Sequence, residues 1–207
     1  PLTRWRKYDA SRQALMRGEL ERILARHDVS GVELIPLRDA PVSYPEPVED
    51  GATFADNALI KARAGAREAG LPTVADDSGI TVDALNGMPG ILSARWCGHH
   101  GDDEANNDLL LAQMSDIPDD RRFAAFVSVC ALVTPEGQEY VSEGRWEGEL
   151  ARSRKGENGF GYDPLFLPAD HPGKSSAELS AEEKDASSHR GKALEGLVAS
   201  ISELAQA

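Results

Sequence analysis

The stretch TFADNALIKARAGAREAGLPTVADDSG, residues 53–79, decides the architecture. Thr53 followed by Asp56 is a capping-box variant: the Thr53 side chain can accept from a backbone N–H, and the Asp56 carboxylate suits the positive end of a helix. The helix it opens runs to about Ala69 and stops at Gly70, with Pro72 just beyond. Alanines at 58, 62, 64, 66 and 69 permit that helix to pack closely. Thr73-Val74-Ala75 then reads as a short buried strand. It delivers Asp76-Asp77-Ser78-Gly79 as an acidic turn at a strand's C-terminal end, where open α/β sheets put their ligands.

Downstream, Asp102 to Ile117 reads as a helix with Leu109, Leu110 and Met114 on its apolar face, ended by Pro118. Phe123 to Val133 is apolar on both faces, the pattern of a central strand. Pro135-Glu136-Gly137 turns it into a partner strand, Gln138 to Glu149, and Phe160 to Leu167 reads as another strand after a Gly-rich turn. Ser180-Ala181-Glu182-Glu183 is a full capping box, and Leu194, Leu197, Val198, Ile201 and Leu204 form an amphipathic series in the last helix. Upstream, Leu15 to His27 has helical spacing in Leu20, Ile23 and Leu24, and Asp39 to Gly51 reads as an exposed, ordered, Pro-rich loop. The chain is therefore a mixed α/β protein with long paired strands. It lacks regular βαβ alternation, so an ordinary doubly wound fold is not favoured.

The length of 207 residues fits a single domain, residues 1–207, or one domain of two lobes. Hydrophobic residues at 41% allow a packed core. A formal net charge of -13 argues against a protein whose main task is to hold nucleic acid, which needs a basic face. The same charge requires any phosphate ligand to be held locally, by a metal ion and a few placed cations. Cys97 and Cys130 show no metal-ligand spacing and read as reduced thiols of a cytoplasmic protein. No signal peptide and no apolar run long enough to span a bilayer is evident, so no membrane partner is expected.

Several groups of residues can carry chemistry. An isolated Asp-Asp is most often a solvated corner. Here the pair follows a buried strand and precedes two small residues that let a ligand approach the backbone. Hydrolysis of a phosphoanhydride needs a metal to neutralise charge and a carboxylate to orient or deprotonate water. Alternate residues of an extended segment point to opposite sides, so only one of Asp76 and Asp77 need face the reacting groups. Glu49 alone is surface charge; paired with Asp77 it suits Mg²⁺, which favours one or two carboxylates plus water and substrate oxygens. Gly159-Phe160-Gly161-Tyr162-Asp163 is either a strand entry or a base site with Phe160 as stacking surface and Asp163 as a polar contact. Lys184 and Arg190 can donate to a phosphate or to a 6-keto purine, whereas a lone His189 is more often a surface or a satisfied histidine. Gly87-Met88-Pro89-Gly90 and Ser93-Ala94-Arg95-Trp96 shape a loop, with Arg95 a weak candidate for phosphate.

Taken in order, TFADNALIKA, VADDSG, LNGMPGILSARW, GFGYDPLF and AELSAEEKDASSHRGKAL resemble the inosine/xanthosine triphosphate pyrophosphatase family, the Ham1-like group. The resemblance covers the chain from about Glu49 to its end. It implies a long, strongly twisted mixed β-sheet flanked by helices, two lobes with a cleft between them, and a homodimer. It implies Mg²⁺-dependent hydrolysis of ITP, dITP and XTP to the monophosphate and pyrophosphate. Asp77 would accept the proton of the attacking water and bind Mg²⁺ with Glu49. Ser78 would touch substrate, Phe160, Gly161, Tyr162 and Asp163 would wall the base, and Lys184, His189 and Arg190 would complete the pocket.

The opening segment departs from the family pattern, an apolar strand ending in a Thr/Ser-x-Asn turn with Lys three residues on. Ser11 matches, Gln13 replaces the Asn, Met16 stands where the Lys belongs, and Leu2 to Asp9 is polar. Ser11, Arg12 and Gln13 are the residues placed to cradle the triphosphate. Either Arg12 or Arg17 replaces the lost cation, or the chain is a nucleotide-binding protein of the same fold with catalysis impaired at this turn.

Overall fold

The computed structural model describes residues 14, 16–40 and 42–206. A first helix, α1, spans residues 16–26. It is followed by α2 (Phe54–Ala69), β1 (Thr73–Val82), α3 (Asp103–Gln113), β2 (Phe123–Val133), β3 (Glu139–Leu150) and β4 (Phe166–Pro168). Three short helices close the chain: α4 (Ala181–Ser187), α5 (His189–Glu195) and α6 (Val198–Gln206).

The sheet has the order β1-β2-β3-β4, and every pairing is antiparallel. A mixed sheet needs a parallel strand, and none pairs among the described residues. Strand β2 lies inside the sheet and every residue after Phe123 is buried, as its two-faced apolar run requires. On one face α2 lays Ala58, Ala62 and Ala66 against Val129, Ala131 and Val133. Its small residues set the spacing: a Cβ on Gly65 would stand 2.5 Å from Thr73 Cγ2. The opposite face carries two clusters. In one, α1, α5 and α6 pack Leu20, Ile23, Leu194, Leu197 and Ile201 onto Cys130 and Leu132. In the other, Leu110 and Met114 join Ile80, Phe126, Trp146, Tyr162 and Phe166.

Four further expectations change. Asp76 and Asp77 do not end a strand in a turn; they lie inside the ten-residue β1, opposite Cys130 and Val129 of β2. Pairing with a long apolar neighbour outweighs the poor strand propensity of aspartate. The strand expected over Phe160 to Leu167 shrinks to Phe166–Pro168. Gly159 and Gly161, at φ 82° and 60°, coil the preceding residues into turns, and the amide N–H of Asp163 donates to the Phe160 carbonyl. Helix α3 starts after the Asp102 cap and ends at Gln113, short of Ile117. The apolar series of the last helix is shared between α5 and α6, which break around Gly196.

Candidate active site

The centre of the site is built from one helix and one strand. The Thr53 capping box is formed in both directions, with Asp56 N–H donating to Thr53 Oγ1 (3.1 Å) and Thr53 N–H to Asp56 Oδ2 (3.0 Å). Gly70 closes the helix in the left-handed conformation. With its ends fixed, α2 presents Asn57 and Lys61, one turn apart, to β1. Asn57 is buried and donates from Nδ2 to Asp77 Oδ2 (3.1 Å). Its Oδ1 accepts from the Gly51 N–H (2.9 Å), which fastens the loop carrying Glu49. Lys61 Nζ lies 3.3 Å from Asp77 Oδ1 and 3.1 Å from Glu49 Oε2. Glu49 and Asp77, far apart in sequence, therefore converge on one ammonium group.

The electrostatics follow from burial. Loss of solvent pushes the Asp77 carboxyl up to about 6, although Lys61 and the Asn57 hydrogen bond pull it down; Glu49 raises it further. Burial alone would lower the Lys61 pKa, but the charges of Asp77, Glu49 and Asp76 together raise it, so the amine stays protonated. The attraction outweighs the desolvation of the lysine but not that of the aspartate.

Asp76 faces the other way, as alternation along a strand demands. Its Oδ2 accepts from Arg190 Nε on α5 at 3.0 Å, and this carboxylate is the main reason the Arg190 pKa is raised. Beside it, His189 stacks on Phe126 with ring centroids 5.2 Å apart. Burial, followed by the Arg190 and Lys184 charges, pushes the imidazole pKa down to about 3, so the ring is neutral. Its Nδ1 is buried with no partner among the described residues. Ser78, partly buried in β1 opposite Ser128, shares the side of the strand on which Asp76 lies.

The loop at Phe160 forms a separate group. Phe160 is 43% exposed, and Lys184 Nζ stands 5.1 Å from its ring centroid. Asp163 is buried beneath it, accepting from the Phe160 N–H (2.8 Å), from Ser176 Oγ (2.8 Å) and from Lys184. It braces the loop and fixes Lys184 rather than standing open to a ligand. Tyr162 is also buried, its hydroxyl donating to the Ser93 carbonyl at 2.8 Å. Gly161 is held through its backbone by Asp103 and Asn107.

Ser11, Arg12 and Gln13 lie outside the described residues. Met16 is partly buried against the core between α1 and α5. Arg17 is paired with Glu21 along α1 at 2.6 Å. Sequence reading missed Asn57 and Lys61, although their i, i+4 spacing on a capped helix just before the aspartates was a usable signal. Among the described residues no group of three or more His, Cys, Asp or Glu side chains is arranged to hold a metal. A lysine-bridged pair of carboxylates is nevertheless a hard oxygen donor set suited to Mg²⁺ completed by water and phosphate oxygens.

Fold and side-chain placement together define the class: an α/β protein whose antiparallel sheet carries one carboxylate of a lysine-bridged pair on one face and an arginine-paired aspartate on the other. The chain belongs to the Ham1 family, whose model matches residues 14–200. It is 65% identical over 201 residues to the dITP/XTP pyrophosphatase of Corynebacterium glutamicum, covering 96% of this chain and 97% of that protein. It is 62% identical to the dITP/XTP pyrophosphatase of Mycobacteroides abscessus over 91% of each chain. Among solved structures, a nucleoside-triphosphatase / dITP/XTP pyrophosphatase from Mycobacterium abscessus superposes with a TM-score of 0.76 at 63% identity, covering 89% of this chain and 93% of that one. A HAM1 protein from Coxiella burnetii gives 0.79 at 39% identity, covering 90% and 94%.

Proposed function

We propose that this protein hydrolyses non-canonical purine nucleoside triphosphates (dITP, XTP and ITP) to the monophosphate and pyrophosphate, clearing them from the nucleotide pool. The observation that carries the reading is the convergence of Asp77, Asn57, Lys61 and Glu49, joined to relatives that bear the name dITP/XTP pyrophosphatase. Asp77 is the proton acceptor. With its pKa near 6 it is ionised at neutral pH yet more basic than an ordinary aspartate, which suits it to take a proton from water. Asn57 and Lys61 hold one carboxylate oxygen each and fix its direction. Glu49 and Asp77 would hold Mg²⁺, which when bound supplies charge neutralisation at the phosphates.

At the other end of the substrate, Phe160 offers its exposed face to the base. Lys184 and Arg190 donate to the 6-keto oxygen of hypoxanthine or xanthine, with neutral His189 lining the pocket. An adenine in the same place would leave those donors unpaired against its amino group. Ser78, Gly161, Tyr162 and Asp163 complete the pocket, the last three by holding its wall in shape. Ser11, Arg12 and Gln13 serve the triphosphate. The working unit is a cytoplasmic homodimer of a single two-lobed domain, with the cleft between lobes around a long twisted sheet, and with neither nucleic acid nor membrane as partner. No helix among the described residues is long and apolar enough to cross a membrane.

A second reading, nucleotide binding with impaired turnover, rests on Gln13 and on Met16, which gives a phosphate no charge. Pyrophosphate release from ITP, XTP, dITP, GTP and ATP, with Mg²⁺ and with a chelator, separates the two. Mg²⁺-dependent release from the first three supports the enzyme. A folded protein that binds dITP and releases nothing supports the second reading.

A further inference from the structure

We infer that Asp103 and Asn107 of α3 are positioning residues that set Phe160 as the wall of the base pocket and thereby govern how tightly the base is held. The inference rests on the assignment of Phe160 to that wall. Three backbone groups at the tip of the loop are tied to side chains. The Phe160 N–H donates to Asp163 Oδ2 at 2.8 Å. The next N–H, of Gly161, donates to Asp103 Oδ2 at 2.7 Å, and the Gly161 carbonyl accepts from Asn107 Nδ2 at 2.8 Å. Asp103 and Asn107 are one turn apart on α3, so a single helix face grips both polar groups of one glycine. Gly161 has φ 60°, a conformation that costs other residues strain, and the neighbouring Phe160 is partly exposed.

The grip is specific in its chemistry. Asn107 is 3% exposed, and its Nδ2 also donates to the Asp103 carbonyl at 2.7 Å. Both neighbours are carbonyls, so the amide must present its NH₂ to them. This orientation leaves Asn107 Oδ1 buried without a partner among the described residues. The two Nδ2 bonds fix which way the Asn107 amide is turned. Helix α3 is itself well seated: Leu110 and Met114 lie in the core, and Asn106 Oδ1 accepts from the Cys97 N–H at 2.8 Å. The ring that meets the base is thus referred to the core through a helix that need not touch the nucleotide.

The test is steady-state kinetics of the full chain with dITP and XTP, together with inhibition by inorganic tripolyphosphate, a probe that has phosphates and no base. Asn107→Leu, which keeps the branched heavy-atom shape and removes the NH₂ group, is expected to raise KM about tenfold with kcat within about threefold, because loosening the stacking wall removes binding rather than chemistry. The tripolyphosphate Ki should stay within about twofold of wild type. Asp103→Ala should act in the same direction, while Asp103→Asn, whose amide oxygen can still accept from Gly161, should restore most of the affinity. Should Asn107→Leu fail to fold, the Asp103 pair decides. An unchanged KM, or a KM and tripolyphosphate Ki that rise together, overturns the inference. Phe160→Ala is the internal reference. If it leaves KM unchanged while wild type turns over, the base-wall reading itself fails. If it raises KM and the α3 variants do not, only the positioning role is lost.

Discussion

Asp77→Asn should stabilise the protein while removing its activity. The carboxyl is raised from 3.8 to about 6, chiefly by burial. An acid whose pKa is higher folded than unfolded destabilises the native state wherever it is ionised. The penalty begins as pH rises past the unfolded value and is complete above the folded one. A shift of that size corresponds to about 3 kcal/mol. The side chain is only 14% exposed, so solvent screening removes little of this, but local relaxation reduces it, and a net gain of about 1.5 kcal/mol is reasonable. In a domain of this size that raises Tm by about 3–6 °C. Asparagine keeps the shape, and its Oδ1 can still accept from Asn57. Lys61 keeps Glu49 as a partner at 3.1 Å.

The assay is thermal unfolding of wild type and variant at pH 7.5 and pH 4.5, with pyrophosphate release measured on the same samples. At the lower pH the wild-type carboxyl is largely protonated when folded, so about a third of the advantage should remain. Turnover should fall by about 10²–10⁴-fold, the usual worth of a positioned base. A variant that is less stable at pH 7.5, or equally stabilised at both pH values, would refute the electrostatic argument. Retained turnover would remove Asp77 from its role as base.

The same pKa places the acid limb of kcat/KM in the wild-type profile near pH 6, with activity rising as Asp77 ionises; a limb below pH 5 would contradict the assignment. Met16→Lys should lower KM for dITP several-fold with little change in Tm, because a lysine stem can replace the methionine packing and carry its ammonium outward; an unchanged or raised KM would count against a phosphate role at this position. Arg122 is 3% exposed and donates to the carbonyls of Met114, Ile117, Leu150 and Ala151, joining the end of α3 to the ends of β2 and β3. Arg122→Leu leaves those acceptors unpaired and should cost about 3–5 kcal/mol in chemical denaturation, a loss under about 1 kcal/mol being incompatible with the network.

The legible parts of the chain were those in which local chemistry and tertiary demand agree. The capping boxes at Thr53 and Ser180, the two-faced apolar run of β2, and the spacing of Leu20, Ile23 and Leu24 all appear where the sequence places them. The aspartates misled because carboxylates are poor strand residues, and only the register against β2 reveals that β1 continues through them. Phe160 to Leu165 misled in the opposite direction: aromatic and aliphatic residues suggested a strand, while two glycines with positive φ coil the backbone. Lys61 escaped because a lysine on a helix ordinarily faces water. Nothing local shows that Glu49 and Asp77 meet at its ammonium group. The partnership of Asp76 with Arg190 spans 114 residues and is likewise a property of the fold alone.

The neighbouring aspartates therefore divide their work by strand alternation, and this gives a contrast that separates binding from chemistry. Asp77 turns to α2 and the lysine-bridged centre; Asp76 turns to α5 and fixes Arg190. The guanidinium is 14% exposed and Asp76 is its main electrostatic partner. Asp76→Asn removes the charge but keeps a carbonyl acceptor at 3.0 Å from Nε, so Arg190 should loosen without leaving. A hydrogen bond between two charges exceeds one in which only the donor is charged by about 1 kcal/mol, which predicts a KM for dITP raised roughly fivefold. The reacting end, held by Asn57 and Lys61 on the other face, should keep kcat within about twofold. Kinetics of the two variants side by side decide the matter. A collapse of kcat in Asp76→Asn with KM unchanged would mean that the two faces of β1 are not separate in function, and that Asp76 rather than Asp77 stands at the reacting phosphate.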